Sequence, residues 1–377
     1  MSKLINKFVN KALYVLFRYK DRQEEKSYID GIRSSYGKLA EKKELTKEQY
    51  DEIQKLYSDL TGRQVPVDWH RYFYSRTGEY SKYYVPTSLY KINIVGRLNL
   101  YPLKRAYTDK NVTDLILPLA RQPKIFLKNM NGYFYYEGRA VSKEEALEKC
   151  KNLGKCILKP SLTARGNGVQ VIDICEGENQ KDHTSLSQIF DSYKSDFLIE
   201  ALVHQHEGMS ALNDSSVNTI RLLTYRSGMK VVVVYSVIRI GRKNQEIDNE
   251  SAGGISAKIN PDGTLAKYAY GAPGDDKIEY TDTGVQLEGY VVPSYQKAVE
   301  FVKEQHLYLP FFNLLAWDIA IDTEGNPVMI EFNMTPDLSQ SANGPAFGDY
   351  TETIIRDAMK KRNTYSEHFK ELMWKRQ

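Results

Sequence analysis

The stretch from Trp317 to Asn333, WDIAIDTEGNPVMIEFN, constrains the fold of this chain most, because two alternating runs are joined by a polar turn. Such a pattern predicts an antiparallel hairpin. Since side chains alternate between the faces of a strand, one face receives the apolar residues Ile319, Ile321, Val328, Ile330 and Phe332. The other face receives Asp318, Glu331 and Asn333. The hairpin is therefore expected to have one acidic face.

A loop over residues 323–326 would pair Asp322 with Pro327 and Asp318 with Glu331, placing the last two Cβ atoms about 5 Å apart. Two carboxylates at that distance repel, so we expect an empty site to be electrostatically strained. A hard cation between them would relieve the repulsion, with the nearby amide as a third oxygen ligand. That ligand set suits Mg²⁺ better than zinc. The alternative is a solvated hairpin face.

The bulk composition limits the class of protein. With 377 residues the chain is long enough for two or three domains, and its net charge of +4 is too small to indicate nucleic-acid binding. The cysteines Cys150, Cys156 and Cys175 form neither an even disulfide framework nor a metal-binding spacing, which favours a reducing cytoplasm. No run approaches the roughly 18 apolar residues of a spanning helix, and no signal-peptide pattern is present. We expect a protein that is neither secreted nor transmembrane.

Residues 3–19, KLINKFVNKALYVLFRY, predict an amphipathic basic helix. Its apolar arc comprises Leu4, Ile5, Phe8, Val9, Ala12, Leu13, Val15 and Leu16, and its polar arc comprises Lys3, Asn6, Lys7, Asn10, Lys11 and Arg18. Either this helix docks on the body of the protein, or it lies in the interface of an anionic membrane. Residues 20–60 are charged and helical in character, and Thr46 to Gln49 resembles a capping box.

From Val85 onward the sequence changes to short β-like runs with glycine and proline between them, and Ser142 is placed to cap a helix over residues 143–150. Further strands are predicted over residues 124–127, 155–159, 168–173, 197–200, 219–225 and 230–240. Many of these strands look like antiparallel hairpins. The predicted fold class is therefore α+β.

One of these hairpins has a chemically informative turn. A strand carries Lys159, Pro160 ends it, and a polar loop with Gly166 and Gly168 precedes the next strand. Glycines let backbone amides approach an anion closely, and a lysine at the root of the loop supplies a point charge for phosphate. A plain turn is the alternative, because the loop has no Walker sequence and no following helix.

The segment from Phe197 to Glu207 leaves a strand at Glu200 and has a second acid seven positions later. The end of a strand followed by an apolar connector can present backbone groups to a purine, and the later acid can accept hydrogen bonds from ribose. The alternative is a linker with exposed acids.

Taken in order, Asp109-Lys110, Lys159-Pro160 with its glycine loop, Glu200 to Glu207, and Asp318 with Glu331-x-Asn333 resemble the ATP-grasp superfamily. Asn218-Thr-Ile-Arg221 and the segment 248–254 look like the sugar-transfer-associated branch of that superfamily. The resemblance covers roughly residues 85–345. It implies an ATP-grasp fold of two α+β subdomains that sandwich ATP, with an N-terminal helical extension. The implied division is 1–70 for the extension, 71–120 for a preceding segment, 121–203 for a small lid subdomain and 204–377 for the metal-binding subdomain.

The resemblance also implies roles for individual residues. Lys110 and Lys159 would hold the α- and β-phosphates of ATP, and the loop with Thr163, Arg165, Gly166 and Gly168 would close over the γ-phosphate. Glu200 and Val203 would contact adenine, and Glu207 would contact the ribose. Asp318, Glu331 and Asn333 would hold two Mg²⁺ ions.

Two further residues are candidates for catalysis. Thr219, Arg221 and Leu223 share a strand face, and a charged residue inside such a run needs an anion or a paired acid. We interpret Arg221 as a group that stabilises the transferring phosphoryl; a salt bridge to a structural carboxylate is the alternative. Lys258 follows Gly253 and Gly254, which are suited either to a close approach to the acceptor or to a plain turn.

Enzymes of this kind mostly phosphorylate a carboxylate and then let an amine attack the acyl phosphate. The resemblance therefore implies a Mg²⁺- and ATP-dependent carboxylate–amine ligase. Several amino-acid ligases of the superfamily carry arginine where this chain has Ala316, so its acceptor cannot be inferred from them. The branch points to a sugar or glycan intermediate in cell-surface polysaccharide assembly, at the inner face of the membrane. A sugar kinase and a non-catalytic nucleotide-binding scaffold are the alternatives.

Overall fold

The computed structural model describes residues 2–163, 166–242, 253–275, 277–361 and 363–364. Three-residue 3-10 turns and one π-helix, Tyr90–Ile94, occur among the α-helices. The α-helices are α1 (Ser2–Gly37), α2 (Lys47–Thr61), α3 (Asp68–Thr77), α4 (Thr87–Leu89), α5 (Val95–Leu98), α6 (Lys104–Thr108), α7 (Thr113–Ile116), α8 (Lys143–Cys150), α9 (Leu186–Tyr193), α10 (Glu207–Ser210), α11 (Tyr295–Leu307), α12 (Gln340–Asn343) and α13 (Thr351–Met359).

The strands form two antiparallel sheets. The seven-stranded sheet has the order β3-β2-β1-β7-β4-β5-β6, and the six-stranded sheet has the order β11-β10-β9-β8-β12-β13. The strands are β1 (Ile125–Met130), β2 (Tyr133–Tyr136), β3 (Arg139–Val141), β4 (Gly154–Pro160), β5 (Gln170–Cys175), β6 (Glu178–Asn179), β7 (Phe197–Ala201), β8 (Thr219–Ser227), β9 (Lys230–Ile240), β10 (Ile255–Ile259), β11 (Leu265–Tyr270), β12 (Leu314–Ile321) and β13 (Pro327–Asn333).

The predicted α+β class is confirmed, because helices combine with antiparallel sheets throughout. The predicted strands correspond to β1, β4, β5, β7, β8 and β9. Ser142 caps α8, and Thr46 and Gln49 form the expected capping box of α2. The β-like reading from Val85 to residue 116 is wrong, since this region forms a series of short helical turns. Its apolar residues pack individually into a core and form no sheet face.

The six-stranded sheet separates two hydrophobic cores. Its back face, which carries Leu222, Trp317 and Ile319, packs against α11. Its front face carries Leu223 and Ala316 and packs against the N-terminal helices and α13. Every residue of β12 is buried, as expected for a strand covered on both sides. The seven-stranded sheet has a separate core with α8 and α9.

Helix α1 continues well beyond the predicted residues 3–19. Its later part packs against α3 through Tyr28, Ile29 and Ile32. Nearer its start, the side chains of Val15 and Leu16 are 60% and 55% exposed, so this part of the apolar arc does not dock on the body of the protein. Within the described residues, no helix combines the length and the apolar character needed to cross a membrane.

The β12–β13 hairpin pairs Asp318 with Glu331 as predicted, but the register between Ile319 and the turn differs by one residue. Ile321 pairs with Pro327, so the connecting loop is one residue longer than expected. The extra residue is absorbed by a β-bulge at Ile330, where the register shifts. As a result Met329, rather than Val328 or Ile330, joins Phe332 in the back-face core. The predicted grouping of Val328, Ile330 and Phe332 on one face is therefore wrong.

Candidate active site

A cleft of about 1220 Å³ lies between the two sheets. One wall is the face of the seven-stranded sheet that carries Lys159, Leu198 and Glu200. The opposite wall is β13 and the residues that follow it, with Arg221 and Arg239 beside them. The cleft therefore brings together residues that are far apart in the sequence, from Ser27 to Ser339.

On the first wall, Lys159 and Glu200 form a buried ion pair with Nζ and Oε1 2.5 Å apart. Lys110 lies next to this pair. Its backbone amide donates to the Ser161 carbonyl at 3.0 Å, and its Nζ donates to the Thr163 carbonyl at 2.7 Å. Burial lowers the pKa of Lys110, and Glu331, 3.8 Å away across the cleft, opposes that shift. Lys110 thus connects the phosphate-loop candidate to the opposite wall.

The glycine loop follows β4 as predicted. Gly166 and Gly168 have positive φ angles of 71° and 77°, which glycine adopts without strain. A Cβ atom on Gly168 would lie 2.8 Å from Pro160, so only glycine fits there. Thr163 is exposed and donates from Oγ1 to the Asn167 carbonyl at 2.9 Å. Arg165, predicted to belong to this loop, lies outside the described residues, as does most of the segment 248–254.

Across the six-stranded sheet, paired residues form one continuous row on the front face. From β10 to β13 it runs Lys258, Val237, Arg221, Asp318 and Glu331. Directly paired residues of neighbouring strands share a face. The predicted metal ligands and both predicted catalytic residues are thus aligned on one side of the sheet.

Arg221 binds Asp318 with two parallel hydrogen bonds, Nε to Oδ1 at 2.8 Å and Nη2 to Oδ2 at 2.7 Å. Arg239 approaches Oδ2 of the same carboxylate at 3.5 Å. Burial by itself raises the pKa of Asp318, but the two arginines outweigh it and hold that pKa below its usual value. Burial likewise disfavours the charged form of Arg221, and Asp318 reverses this, so the pKa of Arg221 is raised.

The expectation of unrelieved repulsion between Asp318 and Glu331 is therefore wrong, because two arginines neutralise Asp318 before any cation binds. The alternative role for Arg221, a salt bridge to a carboxylate, is also realised. The carboxylate in question is itself one of the predicted metal ligands, so the two interpretations of Arg221 concern the same site.

The donor types of Asp318, Glu331 and Asn333 suit Mg²⁺. Glu331 is 30% exposed toward the cleft, and its Oε1 accepts a hydrogen bond from the Asn333 amide at 3.2 Å. Asp318 lies directly opposite Glu331 in the register. Among the residues the structure describes, no group of three His, Cys, Asp or Glu side chains could hold a metal. A magnesium site here therefore requires the side-chain oxygen of Asn333, a ligand type that Mg²⁺ accepts. It also requires that the Asp318 carboxylate bind the cation and the arginines together.

Of the predicted site residues that the structure describes, six do not line the cleft: Gly166, Gly168, Val203, Glu207, Lys258 and Asp318, the last of which is buried. Glu207 is exposed and begins the short helix α10, whose preceding residue, His206, bonds through its amide to the Ile321 carbonyl at 2.8 Å. Lys258 lies two strands from Arg221, about 10 Å away at the usual strand spacing. Their predicted roles remain predictions, and the geometry supports them less than it supports the others.

Sequence reasoning missed the apolar part of the cleft. Ile125 and Leu198 line it from the seven-stranded sheet, and the partly exposed Ile330 lines it from β13. These side chains offer the flat apolar contact that a purine ring needs. An apolar residue in a strand looks the same whether it faces a core or a ligand. The signal that could have found Leu198 is its position two residues before Glu200, on the same strand face.

Residues 91–354 match the family described as sugar-transfer associated ATP-grasp. This match covers most of the chain, so the protein belongs to that family and has an ATP-grasp fold. No curated protein matches the sequence significantly.

Solved structures with similar folds are distant in sequence. The biotin carboxylase domain of a Hydrogenobacter thermophilus 2-oxoglutarate carboxylase, in complex with MgADP, ADP and bicarbonate, is 14% identical, with 68% of this chain and 46% of that chain covered and a TM-score of 0.39. The D-alanine–D-alanine ligase of Bacillus anthracis is 12% identical, with 70% and 69% covered and a TM-score of 0.38. An L-amino acid ligase from Bacillus licheniformis is 12% identical, with 72% and 51% covered and a TM-score of 0.37. The chain spans about half, 46%, of the biotin carboxylase chain.

Proposed function

We propose that this protein is a Mg²⁺- and ATP-dependent carboxylate–amine ligase that acts through an acyl phosphate. One observation carries the proposal. A single cleft gathers Lys110, Lys159 and Glu200 from one side with Arg221 and Glu331 from the other, and Asp318 lies behind this wall, bound to Arg221 and paired with Glu331. That combination suits a triphosphate accompanied by divalent cations, and membership of an ATP-grasp family supports it.

The lysines are suited to bind phosphate. Lys159 is buried and Lys110 is partly buried, with side-chain exposures of 8% and 18%, so a phosphate between them would be held in a site with little water. Electrostatic interactions are stronger in such a site than in bulk solvent. The Lys159–Glu200 pair keeps the lysine in place while Glu200 remains at the apolar end of the cleft, where Ile125 and Leu198 would contact adenine.

Asp318, Glu331 and Asn333 would hold the magnesium ions, and we propose two of them. When bound, magnesium neutralises the phosphate oxygens and stabilises the charge that develops on them. Arg221 orients Asp318 through its two hydrogen bonds, and Arg239 adds a second positive charge on the same side. The arginines thereby supply positive charge next to the transferring phosphoryl group, and because they are already held in place they need not move during the reaction.

The proposed reaction has two steps. A carboxylate oxygen of the acceptor attacks the γ-phosphorus, the bond to the β-bridging oxygen breaks, and ADP leaves. An amine nitrogen then attacks the acyl carbon, the bond from that carbon to the phosphate oxygen breaks, and a proton passes from nitrogen to solvent. Because the acyl phosphate hydrolyses easily, the seven-stranded sheet and its glycine loop are proposed as the lid that keeps water away.

Hydroxylamine trapping tests this chemistry. The full-length protein is incubated with ATP, Mg²⁺ and a pool of acceptors extracted from the producing cell, with and without hydroxylamine. A ligase gives ADP and a hydroxamate, which is detected by mass spectrometry. ADP with a phosphorylated hydroxyl and no hydroxamate would indicate a kinase instead. Absence of ADP above background under all conditions would contradict both enzymatic functions.

We further propose that the acceptor is a sugar or glycan intermediate of cell-surface polysaccharide assembly, handled in the cytoplasm at the inner face of the membrane. The family description supports the sugar component. The exposed side chains of Val15, Leu16 and Tyr19 support a peripheral contact through residues 3–19. Sedimentation with vesicles containing anionic lipid tests this contact. The intact chain is expected to co-sediment and a chain lacking residues 1–20 is not; equal behaviour of the two would contradict the contact.

A further inference from the structure

The cleft does not stop at the proposed metal site. Beyond Asn333 it continues to a second end, which we call the basic end. Its lining comes from α1, from the short helices after residue 87, and from the segment that follows β13. The basic end is lined by Tyr28, Gly31, Lys91, Lys104, Tyr107 and Thr335. Helix α1 thus forms a wall of the cleft although it precedes the residues that match the family.

Lys104 is the most informative residue of the basic end. Its Nζ donates to the Thr335 hydroxyl at 2.8 Å, and among the described residues no acidic side chain lies within ion-pair distance of it. Burial lowers the pKa of Lys104, and the nearby Lys91 lowers it further. A half-buried ammonium group beside a second one, without a carboxylate partner, is unfavourable unless an anion joins them.

Lys91 is held in position on the other side of Thr335. Its Nζ donates to the carbonyls of Thr335 and Pro336 at 2.9 and 3.1 Å and lies 2.7 Å from the Asp337 carboxylate. That carboxylate is 68% exposed, so water screens much of its interaction with the lysine. The two lysines therefore converge on one short segment and leave net positive charge at the wall of the cleft.

The charge balance of the whole cleft supports the same conclusion. Six lysine or arginine side chains and three acidic side chains line it, and Asp318 lies beneath the arginines. ATP with two magnesium ions has no net charge. The proposed nucleotide site would thus leave about two positive charges uncompensated, and Lys91 and Lys104 are the two lining cations to which the proposed function gives no role.

Gly31 keeps the α1 wall open. It lies in the interior of a 36-residue helix, where glycine costs about 1 kcal/mol relative to alanine. A Cβ atom at Gly31 would meet nothing within 4 Å, so packing does not require glycine there. Its absence of a side chain instead leaves space in the cleft opposite the lysines.

We propose that the basic end is an anion-binding subsite for the acceptor, formed by Lys91, Lys104 and Thr335 under the Gly31 surface of α1. Its ligand is a carboxylate or phosphate group of the acceptor. Thr335 follows Asn333 by two residues, so their Cα atoms are at most about 7 Å apart and the subsite adjoins the proposed metal site. The identification of the bound anion as part of the acceptor rests on the proposed function. Anion binding at the subsite can be tested without it.

The test is a calorimetric titration of the full-length protein, first saturated with Mg²⁺ and a non-hydrolysable ATP analogue. Three probes are used: trigalacturonate for carboxylates, glucose 1-phosphate for phosphate, and maltotriose as the neutral control. We expect at least one anionic probe to bind with an affinity that falls as salt increases, and maltotriose not to bind. Which anionic probe binds more tightly decides between the carboxylate and the phosphate.

The substitution Lys104→Met is expected to weaken binding of the anionic probe at least tenfold and to leave the affinity for the ATP analogue within twofold. Lys303→Met, on the surface of α11, is the matched loss of one charge and is expected to change neither. Gly31→Phe is expected to reduce probe binding by filling the cleft, whereas Gly31→Ala is expected to retain it. Circular dichroism establishes that each variant is folded.

The subsite is contradicted if neither anionic probe binds the wild-type protein, or if Lys104→Met binds the probe as tightly as wild type does. The titration is repeated without nucleotide. Failure of the ATP analogue to bind would contradict the proposed function. In that case, binding of an anionic probe to the nucleotide-free protein would still support the subsite, and absence of binding would contradict it.

Discussion

The two faces of the six-stranded sheet are both buried, but different interactions hold them. On the back face, Trp317 and Ile319 pack among apolar residues and against α11. On the front face, the intervening residue of the same strand, Asp318, is stabilised by the guanidinium groups of Arg221 and Arg239. One strand thus belongs to an apolar core on one side and to a charged cluster on the other.

This difference shows which residues the fold alone would not require. Apolar packing on the back face can be replaced by other apolar residues of similar volume at modest cost. A buried ion pair is weak evidence for stability, because apolar residues often replace one without loss. The charged row of the front face is therefore best explained by a ligand, and its substitutions should separate effects on folding from effects on activity.

The largest expected effect is on stability and comes from Asp318→Asn. This change leaves Arg221 and Arg239 buried without their carboxylate, which should lower the free energy of unfolding by about 3–5 kcal/mol. Urea denaturation measures it. Glu352→Gln, which breaks an exposed pair with Arg356 on α13, is the control and should cost less than about 1 kcal/mol. Similar losses of unfolding free energy in the two variants would mean that the buried front-face ion pair contributes no more to stability than an exposed one.

The next effect is on activity and comes from Glu331→Gln, which keeps the shape of the side chain but removes its charge. Because Glu331 is partly exposed, we expect the free energy of unfolding to change by less than about 1 kcal/mol. ADP release should fall by about 100-fold or more, with weaker ATP binding. Glu324→Gln, in the exposed turn of the same hairpin, is the matched control. ADP release that is unchanged in Glu331→Gln would reject the metal assignment.

Acidification tests the back face instead. His306 lies there between the Thr224 hydroxyl and the Phe312 carbonyl, at 2.8 and 2.9 Å. Burial lowers its pKa from 6.5 to about 4, so the unfolded chain takes up a proton at a higher pH than the folded protein does. The stabilisation is complete above pH 6.5 and is lost as pH falls toward 4, by about 2 kcal/mol at pH 5.

His306→Gln isolates this contribution from that of His70, whose pKa burial also lowers to about 4. The difference in unfolding free energy between pH 7.5 and pH 5 should be about 2 kcal/mol smaller in His306→Gln than in wild type. An equal pH dependence in both proteins would show that His306 is not kept neutral by the fold.

The same two faces explain what the sequence could predict. Alternation in the 317–333 segment was sufficient to separate Asp318 from Ile319. The predicted pairing of Asp318 with Glu331 is present because the bulge compensates for a loop one residue longer than predicted. Such patterns are local, and the helix caps at Thr46 and Ser142 are local in the same way. The order of the motifs along the chain indicated the family, which no single motif could have specified.

What the sequence could not predict depends on contacts between distant residues. Arg221 and Asp318 are 97 residues apart, so no periodicity connects them. The bulge at Ile330 follows from how β13 meets its neighbours and moves Met329 into the core. The contribution of α1 to the cleft also requires the folded chain, because Gly31 looks like an ordinary helix-weakening residue until its surroundings are known.

The smallest expected effect concerns the end of the front-face row. Lys258 occupies the row on β10, but Val237 separates it from Arg221 and it does not line the cleft. Interactions between charges weaken with distance and with screening by salt, so at about 10 Å Lys258 should contribute little to a transferring phosphoryl. Lys258→Met should reduce ADP release by less than about threefold, close to Lys267→Met on the exposed side of β11. A loss of 100-fold with normal stability would instead show that Lys258 reaches the acceptor, as the sequence alone had suggested.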